Sequence, residues 1–143
     1  MMAVEVVVVD TSVFVAALKS AGGASRQILR LCLDGQLQPV FGQKLFLEFE
    51  DLMGRTALFE RCPISKSERE MLFDGLLADC KWVDIHFLWR PNLPDEADNH
   101  VLELAIASGA TTVITHNLRD FMGELKFPEV RICTPATFLN VKR

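Results

Sequence analysis

The chain has 143 residues, half of them apolar, and a formal net charge of −4. This length supports one well-buried core and is too short for two ordinary domains, so we expect a single domain over residues 1–143. The charge gives no basic surface of the kind typical of non-specific nucleic-acid binders, but acidic residues clustered in a cation-binding site would produce the same excess. A nucleic-acid substrate is therefore not excluded.

The cysteines and the apolar runs indicate a protein of a reducing compartment. The four cysteines are scattered along the chain without a CxxC pair. No basic segment precedes an apolar one at the start of the sequence, and no apolar run approaches the roughly 20 residues that span a bilayer. We expect a soluble, cytoplasmic protein that does not contact membranes.

The first strand and helix are predicted from the segment Val4–Phe14. Val6–Val9 are consecutive β-branched residues, which suit a parallel-type strand buried on both faces. The apolar run ends at Asp10, and Thr11 and Ser12 are residue types that favour a helix start. Asp10 is thereby predicted at the carboxyl end of a strand, where open α/β sheets bind their ligands.

Helical and strand patterns alternate along the rest of the chain. This alternation predicts an α/β fold, a three-layer α/β/α sandwich with a mostly parallel central sheet. Pro39 has no N–H to donate to a neighbouring strand, so it favours an edge or strand-end position for the second strand. Ser25 is expected to cap the second helix, and a capping box at Ser65–Glu68 or Ser67–Glu70 the fourth. Further strands are predicted at 37–41, 82–87, 111–115 and 130–133, and helices at 13–18, 25–35, 43–53, 65–80, 95–109 and 135–139.

Several polar side chains fall where such a fold brings them together. They are Asp10 after the first strand, Glu48 on the helix after the second, Asp98 at a helix start, and Asn117 with Asp120 after a late strand. Clustered carboxylates repel one another unless a cation lies between them. Oxygen ligands, without cysteines or zinc-spaced histidines, indicate Mg²⁺ or Mn²⁺, which can activate water and stabilise the leaving oxygen of a phosphodiester. Composition and spacing therefore predict a divalent-metal site.

Five motifs follow one another along nearly the whole chain. They are VVVVDTSVF at 6–14, LEFEDL at 47–52, DEADNHVLELA at 95–105, VITHNLRDF at 113–121 and PATFL at 135–139. Their order and spacing resemble the PIN-domain ribonucleases, and most of all the VapC-like toxin components of bacterial toxin–antitoxin pairs. The resemblance implies a metal-dependent endoribonuclease with a PIN-like fold.

The resemblance also implies roles for individual residues. Asp10, Glu48 and Asp98 match the acidic residues of the family and are expected to hold Mg²⁺ or Mn²⁺ and to catalyse RNA hydrolysis. Many PIN domains have an aspartate where this chain has Asn117, whose amide brings no charge and would weaken Mg²⁺ binding. Either Asp120 supplies the missing carboxylate or a second metal is held loosely, so both positions are included among the catalytic candidates.

Substrate and partners are predicted from the same comparison. Thr11, Ser12 and Thr115 are expected to hydrogen-bond a metal-bound water or an RNA phosphate, and Arg119 is the nearest cation for a phosphate. The family resemblance implies a cognate antitoxin and a homodimer. A set of large apolar side chains has two interpretations. In the simpler one they form the core, and in the alternative some of them line a groove for an antitoxin helix. The set consists of Phe46, Phe49, Met53, Phe59, Met71 and Phe73.

Each site residue also has a structural interpretation. Asp10, Asp95 and Asp98 suit helix starts, and Asn117 and Asp120 are common turn or cap residues. Glu48, Glu50 and Asp51 suit a solvated helix face equally well. The three histidines, His86, His100 and His116, have no zinc spacing and are interpreted as surface or loop residues, with His116 the one that could touch substrate.

Three other functions fit the sequence less well than a ribonuclease does. A PIN fold that has lost activity and serves as a binding or regulatory module is favoured by Asn117 and opposed by the intact Asp10, Glu48 and Asp98. A phosphatase of the haloacid-dehalogenase type needs a second aspartate two residues after the first, and that position is Ser12. Dinucleotide binding is disfavoured because the first strand-to-helix turn contains no GxGxxG motif.

Overall fold

The computed structural model describes residues 4–20, 22–84, 99–121 and 130–142. Its strands form one parallel sheet in the order β3-β2-β1-β4-β5, and helices flank this sheet. The predicted α/β fold with a parallel central sheet is confirmed. The strands are β1 (Glu5–Val9), β2 (Leu37–Phe41), β3 (Lys81–Trp82), β4 (Thr112–Ile114) and β5 (Arg131–Cys133). The helices are α1 (Thr11–Lys19), α2 (Ala24–Leu33), α3 (Gln43–Met53), α4 (Lys66–Ala78), α5 (Asn99–Ser108) and α6 (Pro135–Lys142), with 3₁₀ turns at Thr56–Phe59 and Leu118–Phe121.

Strand β1 is the middle strand of the sheet. Val7 and Val8 are both fully buried, and because successive strand residues point to opposite faces, both faces of β1 are covered. The ladder continues one residue beyond the strand, where the Asp10 amide donates to the Ile114 carbonyl at 3.0 Å. Asp10 therefore lies at the carboxyl end of the central strand, as the sequence predicts.

The prediction that Pro39 takes an edge or strand-end position is wrong, because Pro39 is the third of the five residues of β2. Strand β2 lies between β1 and β3. Strand β3 is only two residues long and pairs with Val40 and Phe41, which follow the proline. Because this ladder begins after Pro39, the missing proline N–H does not interrupt it.

The predicted helix starts have mixed outcomes. The capping box between Ser65 and Glu68 is confirmed, with the Glu68 amide donating to the Ser65 hydroxyl at 3.2 Å. The second helix is not capped by Ser25, because its N-cap is Gly23 and Ser25 is buried inside the helix. The predicted strand 82–87 is described only as far as residue 84, and its regular part is the edge strand β3. His86, Asp95 and Asp98 lie outside the described residues.

An aromatic cluster forms the part of the core next to strand β2. Phe49 is fully buried, and its ring centroid lies 5.0 Å from those of Phe14 and Phe41. Phe73 of α4 stacks on Phe49 at 5.5 Å. Among the large apolar residues expected in the core, Met71 is the exception, since it is 70% exposed. The cluster therefore joins α1, β2 and α4 to α3, the helix that carries Glu48.

The four cysteines are free thiols in the described structure. Burial raises the pKa of the Cys32 thiol to about 12, so this thiol stays protonated and packs as a small apolar group. Within the described residues, no helix is both long enough and apolar enough to cross a membrane.

Candidate active site

Asp10 accepts hydrogen bonds from three donors, two in the first turn of α1 and one just after β4. Its side chain caps α1, because Oδ1 accepts from the Thr11 amide at 2.9 Å. Oδ2 accepts from the Thr115 hydroxyl at 2.7 Å and from the Ser12 hydroxyl at 3.1 Å. The residue is only 2% exposed. The helix-cap interpretation is therefore correct for Asp10, since Oδ1 serves the cap, while Oδ2 faces the two hydroxyls.

Glu48 approaches the same site from α3. Its Oε1 accepts from the Thr11 hydroxyl at 2.9 Å, so a single side chain bridges it to Asp10, whose Oδ1 lies 3.5 Å from that hydroxyl. Its Oε2 lies 2.8 Å from Nε2 of His100 on α5. The neighbouring acids point elsewhere, since Glu50 is exposed and Asp51 pairs with Arg55 at 2.6 Å. The helical pattern suits Glu48, Glu50 and Asp51 equally well as a solvated face, but in the fold Glu48 is the one of the three that contacts the site.

The pKa values of the two carboxyl groups are shifted in opposite directions. Burial raises the pKa of the Asp10 carboxyl, and the negative charge of Glu48 raises it further, against the hydrogen bonds that Asp10 accepts. Burial also disfavours the Glu48 carboxylate, but the hydrogen bond and the charge of His100, with the Thr11 hydroxyl, outweigh it and lower the pKa of Glu48. Of the two carboxylates, Asp10 is therefore the one whose charge is less compensated by its surroundings.

The loop after β4 surrounds Asp10 from the other side. The Thr115 hydroxyl accepts from the Asn117 amide at 2.9 Å while it donates to Asp10. The His116 amide donates to the Ser12 hydroxyl at 3.1 Å. Asn117 and Arg119 are exposed, and the Asp120 side chain lies outside the described structure. The predicted hydroxyl residues are thus brought together around Asp10, whereas no contact joins the Asn117 or Arg119 side chain to either carboxylate within the described residues.

Residues 6–119 match the PIN domain family. The chain belongs to this family. Two solved structures are similar to this PIN domain in fold. VapBC2 from Rickettsia felis, solved bound to a DNA fragment from its promoter, aligns with a TM-score of 0.54 at 14% identity, over 89% of this chain and 96% of that one. PAE2754 from Pyrobaculum aerophilum aligns with a TM-score of 0.54 at 15% identity, over 97% of this chain and 90% of that one. No curated protein sequence matches this chain significantly.

The interpretation of His100 as a surface or loop histidine is wrong for this PIN domain. His100 lies in the first turn of α5, and its side chain is only 11% exposed because it packs against Glu48. One local signal for His100 is its position, two residues after Asp98 at the predicted start of a site helix. The pairing itself joins residues 52 positions apart and has no local pattern.

The donor set of this PIN domain fits Mg²⁺ or Mn²⁺. Both carboxylates and the surrounding hydroxyls are hard oxygen donors, and Mg²⁺ is usually bound through one or two carboxylates with several waters. A bound cation would also compensate the buried charge of Asp10, whose pKa is raised mainly by burial and further by the charge of Glu48. The described residues contain no group of three or more His, Cys, Asp and Glu side chains placed to hold a metal. Asp98, predicted as the third acidic ligand, lies outside that part of the chain.

Proposed function

We propose that this PIN domain is a divalent-metal-dependent endoribonuclease, acting in the cytoplasm as the toxin of a toxin–antitoxin pair. The observation that carries the proposal is the bridge from Asp10 through Thr11 to Glu48, at the carboxyl end of the central strand. Two carboxylates bridged by one residue repel each other, and a bound cation would relieve this repulsion. We further propose that residues 1–143 act as one domain.

The protein residues have distinct tasks in this proposal. Asp10 and Glu48, together with Asp98, hold Mg²⁺ or Mn²⁺, which would supply a reactive water and stabilise the leaving oxygen of an RNA phosphodiester. Thr115 and Ser12 orient the Asp10 carboxylate through their hydroxyl groups. The predicted contact of Thr11, Ser12 and Thr115 with a metal-bound water or an RNA phosphate stays part of the proposal, and it would use the oxygen atoms of Ser12 and Thr115 as acceptors, because their hydroxyl protons are donated to Asp10.

The residues after β4 complete the proposed site. We propose that Asn117 and Asp120 line its outer part and that Arg119, exposed in the same loop, meets an RNA phosphate. The alternative, a PIN-fold binding module with impaired catalysis, is favoured by the uncharged amide of Asn117. The two functions differ in one measurable property, the metal-dependent cutting of RNA.

Cleavage of a pool of structured and single-stranded RNA by the purified protein tests the proposal. We expect cutting with Mn²⁺ or Mg²⁺ and none with EDTA. Glu48→Gln removes the ligand charge at nearly constant shape and should lower the cleavage rate by about 10- to 100-fold. Glu50→Gln is the matched control, since Glu50 is exposed on the same helix, and it should cut like the wild type.

Two results would contradict the ribonuclease proposal. Folded protein, free of a co-purified partner, that cuts no RNA with either metal would favour the binding module. Equal losses in Glu48→Gln and Glu50→Gln would remove Glu48 from the site. If the protein cuts no RNA, the variant Asn117→Asp would show whether the charge missing at this position is responsible for the inactivity.

We propose that the antitoxin docks in the groove between α3 and α4. This groove has a volume of about 750 Å³ and combines apolar side chains with acidic ones. An amphipathic helix with apolar anchors and basic flanks complements both features. The apolar lining consists of Phe46, Leu47, Met53, Phe73 and Leu77, and the acidic lining of Glu50, Asp51, Glu70 and Asp74.

Two exposed apolar residues allow a matched test of this surface. Leu47 is 51% exposed and lines the groove, whereas Met71 is 70% exposed and does not. With the product of the neighbouring reading frame as partner, Leu47→Asp should weaken binding at least about tenfold and Met71→Asp should not. Equal affinity of both variants would exclude the groove. The homodimer is proposed from the family resemblance alone, and light scattering of the purified protein measures it.

A further inference from the structure

A buried serine fixes the side chain of His116 at the border of the candidate active site. Ser25 of α2 is 5% exposed, and its Oγ lies 2.7 Å from Nε2 of His116. These residues are 91 positions apart in the chain, so the contact depends on the packing of α2 against the loop after β4. His116 is an exposed residue. Its Nε2 nitrogen is hydrogen-bonded to Ser25, while the residue as a whole remains accessible to solvent.

The backbone of His116 is tied to the catalytic carboxylate. Its amide donates to the Ser12 hydroxyl at 3.1 Å, and the same hydroxyl donates to Asp10 Oδ2 at 3.1 Å. Two hydrogen bonds therefore separate the backbone of His116 from the Asp10 carboxylate. Because Ser25 fixes the ring and Ser12 fixes the backbone, the imidazole is held at a defined position beside the site rather than swinging freely as a surface side chain would.

We propose that His116 is a substrate-binding residue that donates a hydrogen bond from Nδ1 to an RNA backbone phosphate, and that Ser25 is its positioning residue. In this arrangement the Ser25 hydroxyl donates to Nε2, which places the proton of the neutral ring on Nδ1. A donor at a fixed position near the Asp10 carboxylate offers the phosphate a favourable contact where the acidic group repels it. The inference rests on the proposed ribonuclease function, because it names a contact of that same site.

Binding of a short fluorescent single-stranded RNA tests the contact without cutting. The measurements use the full chain carrying Asp10→Asn, with Mg²⁺ present, so that the RNA stays intact. His116→Ala should weaken binding about tenfold, the effect of losing one hydrogen bond to a charged group. Gln27→Ala, which alters an exposed residue on the same helix as Ser25, is the control and should leave the affinity unchanged.

Two amide substitutions separate the nitrogens of the ring. His116→Asn places an N–H close to the position of Nδ1 and should restore most of the affinity. His116→Gln places its amide near Nε2, next to Ser25, and should bind RNA as weakly as His116→Ala. Rescue by glutamine rather than asparagine would overturn the proposed geometry, and wild-type affinity in His116→Ala would overturn the contact itself.

The role of Ser25 is tested by a spectroscopic signature. Ser25→Ala should shift the ¹⁵N resonances of the His116 ring, because the ring loses the bond that fixes its tautomer, and it should weaken RNA binding by less than His116→Ala does. Unchanged ring resonances would remove Ser25 from the proposal. If wild-type protein cuts RNA and cleavage by His116→Ala is equally fast, only this inference fails. If the protein neither cuts nor binds RNA, both proposals fail.

Discussion

Asp10→Asn is expected to abolish RNA cutting and, at the same time, to stabilise the fold. The substitution keeps the size of the side chain and its acceptor for the Thr11 amide, but removes the charge proposed to bind the metal. We expect the cleavage rate to fall at least about 100-fold, because one charged ligand of a metal is lost from a site with few others. Asp74→Asn, at an exposed position on α4, is the control for cutting.

The gain in stability follows from the direction in which folding shifts the pKa of Asp10. Its pKa is raised, mainly by burial, so the folded protein binds the Asp10 proton more tightly than the unfolded chain does. The fold therefore loses stability as pH rises from the usual aspartate range through the raised pKa, and this loss persists at neutral pH. Asparagine carries no such charge, so we expect Asp10→Asn to be about 1 kcal/mol more stable at neutral pH.

Thermal unfolding across a pH series measures this effect. The difference between Asp10→Asn and wild type should be largest at neutral pH and should shrink on acidification, as wild-type Asp10 takes up its proton. Added Mg²⁺ should raise the Tm of the wild type more than that of the variant. An Asp10→Asn protein that is less stable at neutral pH and still cuts RNA would show that Asp10 serves only as a helix cap.

Phe49→Ala is expected to cause the largest loss of stability among the variants considered. Phe49 is fully buried and its ring contacts those of Phe14, Phe41 and Phe73. Truncating it leaves a cavity at the junction of four elements, and we expect a loss of about 3–5 kcal/mol in the free energy of unfolding. Because Glu48 is the preceding residue on α3, the loosened helix should also lower cleavage activity at temperatures where the variant remains folded.

Leu47→Ala is the matched control for this prediction. Leu47 lies two residues before Phe49 on the same helix but is 51% exposed, so its truncation should change the unfolding free energy by no more than about 0.5 kcal/mol. Urea unfolding of both variants measures the difference. A loss below about 1 kcal/mol in Phe49→Ala would mean that α3 is not anchored through this ring.

Local sequence patterns are sufficient to predict the framework of this protein. Val6–Val9 marked a strand covered on both faces, and the change of pattern at Asp10 marked its end, because both signals lie in a few neighbouring residues. The Ser65–Glu68 capping box is equally local. These patterns placed Asp10 correctly at the carboxyl edge of a parallel sheet before any contact was known.

Which side chains meet at that edge depends on the tertiary structure. Asp10 is bound by Thr115, which lies 105 positions away, and Glu48 by His100, which lies 52 away. The internal position of β2 likewise depended on where β3 paired, not on Pro39. Propensity and periodicity act over about one helical turn or one strand, whereas these contacts depend on strand order and helix packing, which only the folded chain fixes.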